Sequence, residues 1–337
     1  MKLSEFNFEL PEELIAKYPL EKRDESRMLY YHNDQIKHRQ FKDIVDILKP
    51  GDVLVRNISK VLAARLWVVA DTGAKIEILL TEKVSEHKWQ AIAGNSKRIK
   101  SGRTYKLAND LILDLKRDGD NILVDFGSYE NYQKAIQDCG SMPIPPYMKR
   151  EAEDSDKERY QTIYARDTGN GASVAAPTAG LHFTPEIDQA LKQKGVEILE
   201  VTLHVGLGTF APIKTDNIEE HKMHSEVYSI SKAVWKRILK AKAEGRRIIS
   251  VGSTSTRVLE SVAMSGKLQG STDIYIYPGY QFQIIDGMLT NFHLPKSSLI
   301  LLICALLDTE TVQRIYTEAI KSKYRFYSYG DCCLFLR

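Results

Sequence analysis

The sequence has little cysteine and no long apolar run. Four cysteines fall among 337 residues, at Cys139, Cys304, Cys332 and Cys333. No two stand in a Cys-x-x-Cys spacing, and the adjacent Cys332-Cys333 is badly placed for an ordinary disulfide. That usage points away from a zinc site or disulfide scaffold and toward a reducing cytoplasm. The longest apolar run, Leu299 to Leu307, falls short of the roughly 20 residues a spanning helix needs. The first residues carry Lys2, Glu5 and Glu9 without an apolar stretch, so the sequence predicts no signal peptide and no membrane association. A strong charge surplus is also missing. Lys and Arg number 47 against 44 Asp and Glu, a net charge of +3 that neither demands nor excludes a nucleic-acid partner. Internal repeats and low-complexity tracts are absent. So are a P-loop and the spaced glycines of a dinucleotide fingerprint, which argues against the common nucleotide-binding loops.

What is present is an ordinary globular composition, 43% hydrophobic and 27% charged, in a chain long enough for two domains. Charge placement says more than charge total. Between Glu86 and Asp110 there is no acid, yet Lys88, Lys97, Arg98, Lys100, Arg103 and Lys106 all fall there. Such a stretch either lines a phosphate backbone or forms a solvated face.

Two rhythms divide the chain. From Val53 to Phe126 short strands alternate with turn signals; the clearest runs are Val61–Val69, Lys75–Thr81, Lys88–Ala93, Leu111–Lys116 and Asn121–Phe126. That spacing predicts a small closed barrel, which removes exposed edges. Pro143-Ile144-Pro145-Pro146 then reads as a linker. Beyond it helices alternate with strands. A helix over Pro185–Lys194 ends at Gly195 and leads to a strand from Val196 to Val205; another over Lys232–Glu244 ends at Gly245. Arg247–Val251 is a short buried-type strand that enters a helix through Gly252-Ser253-Thr254-Ser255-Thr256. Ile274–Tyr277 and Gln281–Leu289 read as strands, with Asp286-Gly287 as a hairpin turn. Thr311–Lys323 places Val312, Ile315, Tyr316, Ala319 and Ile320 on one face of a packed helix.

The densest stretch is Ser173-Val174-Ala175-Ala176-Pro177-Thr178-Ala179-Gly180-Leu181-His182-Phe183-Thr184. Its small residues let a ligand approach the backbone. Thr184, Pro185 and Glu186 read as an N-cap, a first-turn proline and an acid suited to the helix dipole, with His182 at the mouth of that helix. Strand alternation puts Leu199, Val201, Leu203 and Val205 on one face and His204 on the other, facing solvent or a cleft. His293 follows a strand ending Thr290-Asn291-Phe292 and precedes a helix capped by Ser297. Strand ends beside helix starts are where open α/β sheets collect ligands. For each histidine a hydrogen-bonded structural role stands beside the catalytic one. His221 and His224 lie one helical turn apart, but no third ligand accompanies them and no metal is expected. The amides of 252–256 suit an anionic group, with a plain cap as the alternative. Tyr324-Arg325-Phe326-Tyr327-Ser328-Tyr329 reads as a core strand or as a base-stacking platform.

These blocks together resemble the S-adenosylmethionine:tRNA ribosyltransferase-isomerase family of queuosine biosynthesis. The resemblance runs from Pro11–Ala16, Tyr18–Glu21 and Arg23–Arg27 through Met142–Tyr147 and Glu158–Thr162. It continues in the 173–184 run, Thr202–Phe210, His221–Glu226, Thr290–Pro295 and Ser328–Asp331. It implies an α/β body with a mixed sheet and flanking helices, formed by 1–55 and 150–337, with a small all-β barrel inserted at 56–149. It implies transfer and isomerisation of the ribosyl unit of S-adenosylmethionine onto a 7-aminomethyl-7-deazaguanine in tRNA, giving epoxyqueuosine and releasing adenine and methionine. S-adenosylmethionine would be a co-substrate, with no prosthetic group, in a cytoplasmic monomer whose partner is the tRNA anticodon loop.

General acid–base groups suit that chemistry, and histidine is the natural choice near neutrality. The expected catalytic residues are His182, His204 and His293. Expected substrate contacts are Asn57, Thr178, Gly180, Gly206, Gly208, His224, Thr254, Asn291 and Asp331; expected tRNA contacts are Lys97, Arg98, Lys100 and Arg103. The sequence departs from the family where Ile58-Ser59 replaces Asp-Thr after Asn57, and Cys332-Cys333 also departs from its pattern. The loss of a carboxylate at Ile58 would permit a non-catalytic tRNA-binding relative. A methyltransferase is disfavoured by the missing glycine-rich loop.

Overall fold

The computed structural model describes residues 1–100, 102–119, 121–168, 173–206 and 213–337. The chain opens with β1 (Arg27–His32) and β2 (Gln35–Gln40), joined by Asn33 and Asp34 at φ 49° and 59°. Two consecutive left-handed residues are what the tightest hairpin turn requires. A short helix α1 (Ile44–Ile47) leads to β3 (Val53–Asn57), which runs through the expected boundary at 55.

Six antiparallel strands then close a barrel in the order β4-β5-β6-β9-β8-β7. They are β4 (Arg65–Ala70), β5 (Lys75–Lys83), β6 (Lys88–Ala93), β7 (Tyr105–Lys106), β8 (Ile112–Asp118) and β9 (Asn121–Asp125). Alternation builds its interior. Leu66 and Val68 point in while Trp67 and Val69 stay exposed. Helix α2 (Tyr129–Cys139) stacks Tyr132 on Trp89 with ring centroids 5.2 Å apart. The expected first barrel strand, Val61–Val69, starts late: Val61 instead bridges to Ser173, and its amide donates to Gln161 Oε1 at 3.1 Å.

The remainder adds α3 (Asp154–Arg159), α4 (Pro185–Gln193), β10 (Glu197–Leu203), β11 (Glu226–Ser229), α5 (Lys232–Ala243) and β12 (Ile248–Val251). Then follow α6 (Gly252–Ser265), β13 (Gln269–Thr272), β14 (Gly287–Asn291), α7 (Ser298–Leu306), α8 (Thr309–Lys321) and β15 (Cys332–Leu336). A nine-stranded mixed sheet runs β13-β11-β10-β3-β12-β14-β15-β1-β2. Helices cover both faces, so the central strands β3, β12, β14 and β15 bury every residue, the polar Arg56, Asn57, Ser250, Thr290 and Asn291 included. Val53, Val55, Cys333 and Phe335 join the core shared with α5 to α8, whereas Leu54, Cys332, Leu334 and Leu336 face α1 and α4. The adjacent cysteines are therefore buried on opposite faces of one strand.

The fold is thus a mixed α/β sheet with flanking helices plus a small β-barrel. Several local expectations are corrected. Residues 274–277 form no strand. Asp286-Gly287 is not a hairpin turn: Gly287 opens β14, and a Cβ there would lie 2.6 Å from the Phe335 carbonyl across the sheet. Asp286 is held by its Oδ2, which accepts from Ile248 N at 2.8 Å. Tyr324–Tyr329 is no strand either; it packs Tyr324 and Phe326 into the core ahead of β15. His221 and His224 are not on a helix; His221 abuts Tyr275 with ring centroids 5.3 Å apart, and His224 is exposed.

Candidate functional site

The strands β3, β12 and β14 are mutually parallel neighbours, so their carboxyl ends share one edge of the sheet. A cleft of about 1000 Å³, part of it open to solvent, lies beyond β12 and β14. Position and size suit a ligand site of an open α/β sheet. Three chain segments wall it: the small-residue run Ala175–Ala179, the turn Gly252–Thr254 that begins α6, and the loop from Asn291 to Ser297 that follows β14. Tyr147 and Tyr327 complete it, ring centroids 4.2 Å apart.

Local sequence explains the walls. Thr178–His182 is a 3-10 turn, and Thr184 caps α4 by accepting from Ile187 N at 3.3 Å. Ser297 caps α7 in the same way through Ile300 N at 3.3 Å. Gly252 takes φ 80° to turn the chain from strand into helix, and a Cβ there would touch Ala179 at 3.5 Å. Tyr327 also sits in the left-handed region, at φ 75°. That conformation is costly for a bulky residue. It is held by Tyr327 N donating to Phe292 O at 3.1 Å and by Asn291 Nδ2 donating to Tyr327 O at 2.9 Å.

The histidines part company here. His293 lines the cleft; its Nε2 lies 2.8 Å from Thr290 Oγ1, and its backbone amide donates to Tyr316 Oη at 3.0 Å. Burial pushes its pKa down to about 3, so the ring is neutral at physiological pH. His182 is fully enclosed in a neighbouring crevice with Arg23, Ser26 and Arg159. Its Nδ1 meets Ser26 Oγ at 2.7 Å. Burial lowers its pKa to about 4; the nearby Asn291 side chain opposes this and Arg23 and Arg325 reinforce it, while Nε2 has no hydrogen-bond partner among the described residues. His204 lies half-buried off the cleft with Nε2 3.3 Å from Thr168 Oγ1, its pKa lowered by burial against the pull of Asp167.

Of the other expected contacts, Thr178, Thr254 and Asn291 share the cleft with His293. Asn57 does not. It clamps β10, donating to Leu203 O at 2.9 Å and accepting from Leu203 N at 3.1 Å. Ile58, where the family carries Asp, packs against the apolar layer under α1 and α4. Gly180 is small for packing reasons, since a Cβ there would fall 2.1 Å from Tyr164 Oη. Gly206 donates its amide to Glu226 Oε1 at 2.8 Å. Asp331 accepts from Arg27 N at 2.9 Å and Arg325 N at 2.8 Å, pinning two chain segments. His224 is exposed, and Gly208 lies outside the described residues. Lys97, Arg98 and Lys100 are exposed on the barrel, while Arg103 pairs loosely with Asp71 at 3.8 Å.

Sequence reasoning missed Tyr147 and Lys296 as site residues; Ser253, from the run read as a candidate anion site, and Tyr327 and Ser328, from the run read as a core strand or stacking platform, also line the cleft. Tyr147 was hidden in a proline-rich run that looked like a linker. Among the described residues no group of three or more His, Cys, Asp or Glu could hold a metal ion, and no helix is long and apolar enough to cross a membrane.

Comparisons with known proteins agree on one family. A family model described as queuosine biosynthesis protein matches residues 3–335. A Desulfitobacterium hafniense protein named S-adenosylmethionine:tRNA ribosyltransferase-isomerase is 47% identical over 347 residues, covering 100% of both chains. A Halothermothrix orenii protein of the same name is 45% identical, again over 100% of both. The solved structure of S-adenosylmethionine tRNA ribosyltransferase from Thermotoga maritima is similar with a TM-score of 0.56 and 34% identity, covering 98% of this chain and 100% of that one.

Proposed function

The chain belongs to the queuosine biosynthesis protein family, and on that basis we propose that it transfers and isomerises the ribosyl unit of S-adenosylmethionine. The acceptor is the 7-aminomethyl-7-deazaguanine at the wobble position of tRNA. The products are epoxyqueuosine in tRNA, adenine and methionine. One observation carries the reading: the run 173–184, which holds the strongest family resemblance, supplies the Ala175–Ala179 wall of the cleft.

The chain's own residues meet the demands of that chemistry. A base must take a proton from beside the sulfonium or from the incoming amine. His293 is the expected catalytic histidine that lines the cleft, and its imidazole is neutral, with Nε2 held beside Thr290 Oγ1 at 2.8 Å. Leaving adenine needs hydrogen bonds at its ring, which the polar groups Asn291 and Ser328 are placed to make. The paired rings of Tyr147 and Tyr327 offer a flat face to a purine-like base. His182 acts through Asn291, beside which it stands. His204 is retained as a third candidate, at the end of β10 next to Val205 in the cleft wall. The exposed Lys97, Arg98 and Lys100 are the tRNA phosphate contacts in this reading. It requires no prosthetic group, and we place the protein in the cytoplasm as a monomer.

The test is a product assay. Purified protein is mixed with S-adenosylmethionine and tRNA bearing the aminomethyl-deazaguanine. Free adenine and methionine, with a matching mass gain on the tRNA base, are expected. Binding of tRNA without adenine release would leave only a non-catalytic relative, and S-adenosylhomocysteine as product would make it a methyltransferase.

A further inference from the structure

The cleft is walled almost wholly by apolar and neutral polar side chains. No Asp, Glu or Arg borders it among the described residues, and His293 is neutral, so Lys296 is its one charged wall residue. Lys296 is exposed, and its ammonium makes no hydrogen bond or ion pair with the described residues. A positive charge thus stands uncompensated at the rim of a ligand-sized cleft.

The backbone holds it there at a cost. Lys296 takes φ 55°, in the left-handed region that glycine and asparagine enter more cheaply. The loop is pinned around it: the Lys296 amide donates to Phe6 O at 3.0 Å, and Ser297 Oγ donates to Leu294 O at 2.8 Å. Backbone strain kept at the edge of a site goes with a functional demand on the side chain.

Under the proposed function two anionic groups come to this cleft, the carboxylate of S-adenosylmethionine and a phosphodiester of the tRNA. The carboxylate brings an ammonium one carbon away, and no carboxylate lines the cleft to receive it. A phosphodiester is an anion alone and matches a lone cation. A base drawn into a cleft also leaves its phosphates at the mouth, because burying them would be costly. A cation on the rim then meets the phosphate beside the reacting nucleotide.

We propose that Lys296 is the phosphate anchor of the reacting nucleotide, its ammonium pairing with a phosphodiester that flanks the modified base and so setting that base in the cleft. The assignment rests on the proposed function and adds to it a contact at the nucleotide that reacts, besides Lys97, Arg98 and Lys100 on the barrel. Phosphate contacts of this kind fix register rather than sequence.

The experiment uses the full chain and an anticodon stem-loop bearing the aminomethyl-deazaguanine. Each phosphate flanking that nucleotide is in turn left native or replaced by a neutral methylphosphonate. Equilibrium binding is measured for the wild type, Lys296→Asn and Lys296→Arg. Asparagine removes the charge and suits the left-handed backbone, so the variant should melt no lower than the wild type. Lys296→Asn should bind the native stem-loop roughly 10-fold more weakly. It should also flatten the plot of log affinity against log salt by roughly 0.7, the contribution of one phosphate in a single strand. Lys296→Arg should bind as the wild type does. One of the two methylphosphonates should weaken the wild type by the same factor and leave Lys296→Asn unaffected. Wild-type affinity in Lys296→Asn, or losses from variant and methylphosphonate that multiply, would overturn the anchor. So would a Lys296→Asn protein that keeps its RNA affinity and loses affinity for S-adenosylmethionine, since the cation would then serve the carboxylate. Adenine release by the wild type would in each case leave the ribosyl-transfer reading intact, and its absence would overturn that reading and the anchor with it.

Discussion

Ser26 and His182 meet at 2.7 Å, hydroxyl to Nδ1, across 156 positions of sequence. The contact ties the amino-terminal segment to the signature turn, and Arg23 strengthens the seam by donating to Gln161 O at 2.8 Å and Leu181 O at 3.2 Å. It also fixes the imidazole plane, leaving Nε2 for the Asn291 side. Ser26→Ala leaves a buried ring nitrogen unpaired, which typically costs about 1 to 3 kcal/mol. Urea unfolding of the variant should show that loss. A midpoint equal to wild type would mean the seam does not depend on this bond.

The buried histidines set the sign of the pH dependence. Folded-state values of about 4 for His182 and about 3 for His293 lie below the ordinary 6.5. Between those limits the unfolded chain binds protons that the folded chain refuses, so stability is full above pH 6.5 and drains away as pH falls. Each such histidine contributes a slope of about 1.4 kcal/mol per pH unit. His182→Gln should therefore flatten the curve of unfolding free energy against pH by about that amount between roughly pH 4.5 and 6. An unchanged slope would show that His182 is protonated in the folded protein.

Local signals were legible and distant ones were not. Thr184 and Ser297 announced their helices because a cap is written within four residues of chain. The barrel was readable from alternation for the same reason. By contrast, β1 pairs in parallel with β15 from the other end of the chain, and no local pattern encodes that. Gly287 misled because an Asp-Gly pair signals a turn, whereas its smallness serves the close approach of Phe335. In the site, Asn291 and His293 were readable from their place at a strand end. Lys296 was not, since it borders the cleft only once its loop packs beside Ala175–Ala179 and the start of α6.

Gly180 tests whether smallness in the signature run serves the fold or the ligand. A Cβ there would stand 2.1 Å from Tyr164 Oη and 2.7 Å from Thr162 Cγ2. Gly180→Ala should destabilise the protein by about 1 to 3 kcal/mol, as overpacking does. Tyr164→Phe removes a hydroxyl that has no partner among the described residues. Combined with Gly180→Ala, it should recover part of the lost thermal stability. If Gly180→Ala unfolds like wild type but loses affinity for S-adenosylmethionine, the glycine serves the ligand instead.

His293 and His182 predict different kinetic signatures. His293 lines the cleft, so a His293→Ala protein should keep its affinity for S-adenosylmethionine and lose adenine release by about 100- to 10,000-fold, the usual worth of a positioned base. His182 lies behind Asn291 and should matter by orienting that amide. His182→Ala should therefore cost less in single-turnover adenine release, and Asn291→Ala should cost nearly as much as the pair changed together. Coupling of that kind is the mark of two residues acting as one unit. Adenine release by His293→Ala within about threefold of wild type would remove it as the base. A larger loss in His182→Ala than in His293→Ala would move the proton transfer to the enclosed ring, and the crevice shared with Arg23 and Arg159 would become the reacting side of the cleft.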